Sequence, residues 1–139
     1  MDSAWIWNRE AIVFSVRGAG RDILDELISR LRQDDWSEDD IFAVEMAGEE
    51  AITNAVHHGN RYDPTKKVRL RFQVAPDRVL MIVSDEGDGF DPKAVPDPCA
   101  EENLDRPNGR GVHLIRNFMT RICYNESGNQ VTMELDRSR

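Results

Sequence analysis

The sequence predicts a two-layer α/β sandwich, an α+β arrangement of one mixed β-sheet with helices packed on a single face. Three observations predict it. Two stretches with helical apolar spacing lie at 21–33 and 37–60. Paired strand-like stretches separated by turn residues lie at 68–83 and 122–135. The order is strand, helix, helix, strand, strand, lid, helix, strand, strand, so helices interrupt runs of strands without strictly alternating with them. The 139 residues fit one domain, 1–139, and no internal repeat or linker divides them.

Residues 11–16 are short, apolar and rich in β-branched side chains, a strand that Gly18 and Gly20 break. In 21–33, Ile23, Leu24, Leu27, Ile28 and Leu31 recur at helical spacing opposite a charged face, and Asp34-Asp35 ends the helix. Ser37 followed by Asp40 resembles a capping box with Asp in place of Glu. It opens a long second helix with Ile41, Val44, Ala47 or Gly48, Ala51 or Ile52, and Ala55 or Val56 as its buried stripe. Gly59-Asn60 closes that helix. Val68, Leu70, Phe72 and Val74 share one face of a strand, Pro76-Asp77 turns the chain, and 79–83 is continuously apolar, as in a central strand. Residues 85–108 have four prolines, many acids and no apolar period, which reads as a functional lid or a disordered loop. Helical spacing returns through Val112, Leu114, Ile115 and Phe118. Strands at 122–125 and 130–135 are joined by Ser127-Gly128-Asn129.

Composition narrows the function. The net charge of -8 repels nucleic-acid phosphates, and Lys66, Lys67, Arg69 and Arg71 read as a solvated strand face rather than a binding patch. Protein and small-ligand partners are therefore favoured. Cys99 and Cys123 have no companions at metal-ligand spacing and read as free thiols in a reducing cytosol. Residues 1–10 lack a basic region followed by an apolar stretch, so no signal peptide is expected. No apolar run reaches the ~18 residues that span a bilayer. The expectation is a soluble cytoplasmic protein without membrane contact.

Three stretches carry chemistry. In the second helix Glu50 and Asn54 are four positions apart, so they share one face one turn from each other. Ala43 and Ala47 precede them on that stripe and leave room for a ligand. Asparagine is a poor helix former, and its carbonyl oxygen can bind Mg2+. A carboxylate one turn away can take a proton from an attacking hydroxyl. After the apolar strand comes Asp85-Glu86-Gly87-Asp88-Gly89. There a carboxylate can accept the exocyclic amine of adenine while glycines admit the base. Asn108-Gly109-Arg110-Gly111 precedes a helix, whose N–H groups and dipole favour phosphate. No Gly-Lys-Ser/Thr follows, so it is not a Walker loop. Nor does a strand run into it as in a dinucleotide fingerprint.

In this order and spacing the three stretches resemble the ATP-binding boxes of the GHKL superfamily, which groups gyrase, MutL and sensor histidine kinases. The Glu50-x-x-x-Asn54 box with His58-Gly59 downstream is most similar to the anti-sigma-factor serine/threonine kinases. The resemblance runs over 37–135. It implies the Bergerat ATP-binding fold, with ATP and Mg2+ as ligands, Asn54 on Mg2+ and Glu50 as general base. Asp85 is implied at adenine, shaped by Gly87 and Gly89. Gly109 and Gly111 are implied at the phosphates, Arg110 at the γ-phosphate, and Thr132 near adenine. It further implies a sigma factor and an anti-sigma-factor antagonist as partners, the latter phosphorylated on serine or threonine, and a homodimer. Two features depart from the pattern. The lid at 91–108 is short and proline-rich, and Pro107-Asn108 stands where a basic residue is usual.

Two alternatives share these residues. One is a non-catalytic, nucleotide-gated protein-binding module. The other is a sensor histidine kinase catalytic domain acting in trans. That needs an upstream helical pair with an acceptor histidine, and the 36 residues before Ser37 hold no histidine.

Overall fold

The computed structural model describes residues 4–87, 115 and 117–138. Its first strand, β1 (Trp7–Phe14), begins before the apolar stretch does. The cause is its partner: Trp7 and Arg9 pair with Val74 and Phe72 of β2 (Lys67–Ala75), so the neighbour's length sets the strand's length.

The helix α1 (Arg21–Gln33) buries Ile23, Leu24, Leu27, Ile28 and Leu31, the predicted stripe. Ser37 caps α2 (Glu38–Asn54), its hydroxyl accepting the Asp40 N–H at 3.1 Å. Among the described residues the reciprocal half of the capping box does not form. The buried Asp40 carboxylate instead accepts the Ser138 N–H and hydroxyl, both at 2.9 Å, and ties the end of the described chain to the α1–α2 corner. Past Asn54 the helix widens into a π turn, Ala55–Gly59.

The hairpin of β2 and β3 (Arg78–Ser84) and that of β4 (Arg121–Tyr124) and β5 (Gln130–Asp136) form as expected. The strand order is β1-β2-β3-β5-β4. Among the described residues every pairing is antiparallel, which corrects the expected mixed sheet. The reason lies in the connection. A single crossover helix returns the chain for a parallel strand, whereas the α1–α2 hairpin crosses twice and delivers β2 opposed to β1.

Both helices cover one face of the sheet. The core joins their apolar stripes to Leu70, Phe72, Val79, Met81, Val131 and Met133. Trp7 packs against this core, Trp36 is buried in it, and Trp5 lies under the Arg78 guanidinium at 4.2 Å. The other sheet face carries Ile12, Phe14, Arg69, Arg71 and Ile82. Among the described residues no helix is long and apolar enough to cross a membrane. The lid and most of the helix read at 110–120, with Cys99 and His113, lie outside the described residues.

Candidate functional site

Glu50 and Asn54 occupy the last turn of α2, both half-buried. Neither side chain is engaged by a hydrogen bond or ion pair among the described residues. A helix-packing role for Asn54 would require such a bond. Ala43 and Ala47 do not border an open space, as the sequence suggested. They are 8% and 0% exposed and belong to the core. The stripe passes from core to surface as it reaches Glu50.

The π turn then redirects the chain. Its wider hydrogen bonding runs from the Asn60 N–H to the Ala55 carbonyl at 2.8 Å, and it brings Gly59 against the segment after β3. There Asp85 donates its N–H to the Asn129 carbonyl at 2.8 Å, and its Oδ1 accepts the Gly87 N–H at 2.8 Å. A Cβ on Gly59 would lie 2.3 Å from the Asp85 Oδ2. One on Gly87 would lie 1.9 Å from the Gly59 carbonyl oxygen. Only glycine at both positions allows this nesting. Burial raises the Asp85 carboxyl above the ordinary carboxylate range, partly opposed by the Gly87 N–H and by Lys66. Oδ2 has no donor among the described residues, so it is available to an amine. That is the requirement a purine places on this end of a site.

Asn60 is the residue that sequence reasoning missed, having taken it only as a helix terminator. It is 1% exposed. Its amide donates to the Ser15 hydroxyl at 2.6 Å and the Lys67 carbonyl at 2.9 Å, and its oxygen accepts the Glu86 N–H at 2.8 Å. The Glu86 carboxylate in turn accepts the Lys67 N–H at 2.8 Å. One side chain thus fastens the loop holding Asp85 to the end of β1 and the start of β2. A polar residue after glycine carries no signal in the sequence that distinguishes this hub from an ordinary cap.

Thr132 is not brought to Asp85. It sits opposite Ile82 and Cys123 on the helix-free face, while its neighbours Val131 and Met133 point into the core. Strand alternation therefore corrects its expected place near adenine. His57 and His58 are exposed, and His57 Nδ1 lies 3.1 Å from the Tyr62 hydroxyl. Gly89, Gly109, Arg110 and Gly111 lie outside the described residues.

Known proteins resemble this arrangement. Residues 17–135 match the family model described as histidine kinase-like ATPase domain. The serine-protein kinase RsbW of Bacillus licheniformis is 36% identical over 113 residues, covering 75% of this chain and 71% of that one. The protein of the same name from Staphylococcus epidermidis is 34% identical over 105 residues, 70% of this chain and 66% of its own length. The chain thus spans about two thirds of that relative. The crystal structure of the RsbU and RsbW domains of Rv1364c from Mycobacterium tuberculosis shares the fold. Its TM-score is 0.64 at 18% identity, over 94% of this chain and 32% of that one.

Proposed function

The chain belongs to the histidine kinase-like ATPase family and sides with the RsbW serine-protein kinases within it, and from that premise we propose that it is an ATP-dependent protein serine/threonine kinase of the anti-sigma-factor type. Its acceptor is an anti-sigma-factor antagonist, and its second partner a sigma factor that it sequesters. The reading includes a cytoplasmic homodimer without direct nucleic-acid contact, in keeping with the net charge of -8.

One observation carries it: Glu50 and Asn54, unengaged and one turn apart, stand where α2 leaves the core, just before the π turn that meets Asp85. In the proposed reaction Asp85 Oδ2 accepts the adenine amine and fixes the nucleotide's orientation. Glu50 takes the proton of the serine or threonine hydroxyl as that oxygen bonds to the γ-phosphorus. The bond to the bridging oxygen breaks, and ADP leaves with its electron pair. The Asn54 carbonyl oxygen is suited to hold Mg2+, which when bound neutralises charge on the phosphate oxygens. Gly109, Arg110 and Gly111 are assigned to the phosphates, and Gly89 to the adenine end, from their sequence positions.

The test uses labelled ATP and a candidate antagonist. Glu50→Gln is expected to lower transfer by about 10²–10⁴-fold, the range for a lost general base. Calorimetric ATP binding should persist. Undiminished transfer by Glu50→Gln would remove it as the base. Nucleotide and partner binding by the wild type with no labelled product would make the chain a gated binding module instead.

A further inference from the structure

A cavity of about 320 Å³ opens between the β1–α1 loop and α2, on a different flank of α2 from Glu50 and Asn54. Its apolar lining comes from Val16, Ala19, Leu24, Ile52 and Val56, and Thr53 adds a hydroxyl from α2. Leu24, Ile52 and Val56 are themselves buried core residues, so the floor is fixed by the fold. Tyr62 forms one rim and is held in place twice. Its N–H donates to the Val56 carbonyl at 2.8 Å, and its hydroxyl meets His57 Nδ1. Arg61 and Tyr62 both take left-handed backbone angles, φ 51° and 57°, a conformation that side chains resist and that surrounding contacts must enforce.

The charges at the mouth differ in kind. Arg21 also lines the mouth but is taken up by three carboxylates, Asp25, Glu45 and Glu49, of which only Glu49 reaches the cavity. Arg17, whose guanidinium lies 5.4 Å from the Tyr62 ring centroid, has no acidic partner among the described residues. Glu49 also lines the cavity, and it opposes a second negative charge on any occupant. The volume lies at the lower end of ligand pockets, about 300–1,000 Å³.

We propose that this cavity is a second ligand site, for a compact organic monoanion with an aromatic or branched apolar body and one carboxylate. The body occupies the Leu24–Ile52–Val56 floor, and the carboxylate meets Arg17 beside the Tyr62 ring. A doubly charged phosphate is disfavoured by Glu49.

The experiment is a methyl NMR titration of the full chain, free of nucleotide, with 3-phenylpropionate and separately with its neutral amide. Saturable shifts are expected at the Ile52 and Val56 methyls, with the amide binding at least about fivefold more weakly. Arg17→Gln, a change at an exposed side chain, should equalise the acid and the amide. Ala19→Trp should abolish both by filling the space. Shifts confined to other methyls, no saturable shift, or equal affinity of wild type for acid and amide would overturn the proposal. None of these outcomes bears on the kinase reading, since nucleotide is absent and the site lies apart from Glu50.

Discussion

The carboxylate of Asp85 occupies the space a Cβ of Gly59 would need, with its Cγ and Oδ2 each 2.3 Å from that position. The end of the π turn and the loop after β3 can meet only because residue 59 has no side chain. Gly59→Ala must push the short Asp85 side chain aside or part the two segments. ATP affinity by calorimetry should fall at least about tenfold, with an overpacking cost of about 1–3 kcal/mol in urea denaturation. Wild-type affinity in this variant would show that the Asp85 position is not used for the purine.

Asp85→Asn separates function from stability. Burial raises the Asp85 carboxyl, so the folded chain holds that proton more tightly than the unfolded chain. Its contribution favours folding below the ordinary carboxylate range and is lost as pH rises through the raised value. At neutral pH the buried charge therefore opposes folding. Asparagine keeps an oxygen for the Gly87 N–H, which turns its NH2 toward the position of the free Oδ2. The variant should be as stable as wild type or more so at pH 7, and the difference should vanish in acid. Its ATP affinity should drop about 10–100-fold, because a donor would face the adenine amine. Thermal melts at both pH values and calorimetry read the two effects. A less stable variant at pH 7 would contradict the burial argument.

Asn54→Ala distinguishes a ligand role from a structural one. The Asn54 amide has no hydrogen bond among the described residues, and alanine is the better helix former. The variant should be equal or up to about 0.7 kcal/mol more stable. Wild-type ATP affinity should rise when Mg2+ is added. In Asn54→Ala that increment should disappear while the Mg2+-free affinity stays. An unchanged Mg2+ response would move the metal off Asn54.

What could be read in the sequence was whatever depends on local periodicity. Leu24, Leu27 and Leu31 mark one face of α1, and Glu50 and Asn54 share a face because the helix repeat places them so. Val131, Met133 and Leu135 alternate strictly, and that pattern alone already assigns Thr132 to the other face. Strand direction was not legible, because alternation is the same in parallel and antiparallel neighbours and the α1–α2 hairpin decides between them. The π turn and Asn60 were hidden for a different reason. Both depend on contacts between segments far apart in the chain, Ser15 with Asn60 and Asn60 with Glu86. No local pattern of apolar residues records a polar side chain satisfied from three directions.

Asn60 gives the sharpest test of how the fold holds the site. Its NH2 group faces two acceptors, the Ser15 hydroxyl oxygen and the Lys67 carbonyl, while its oxygen takes the Glu86 N–H. Asn60→Asp preserves shape and the Glu86 contact but sets a carboxylate oxygen against the Lys67 carbonyl in a buried position. The Ser15 hydroxyl can turn to donate, though it must then abandon the Lys66 carbonyl it now serves at 2.7 Å. An unsatisfied buried group costs about 1–3 kcal/mol, and more when it is charged, so a loss of at least about 2 kcal/mol is expected in urea denaturation at pH 7. Protonating the new carboxyl restores a donor, so the loss should shrink as pH falls. Hydrogen exchange should speed up at the Lys67 amide before other amides of the sheet, because the side chain at 60 and the loop it still holds through the Glu86 N–H come away from the start of β2 first. Uniform acceleration across the sheet would instead make Asn60 a general stability element with no special hold on the Asp85 loop.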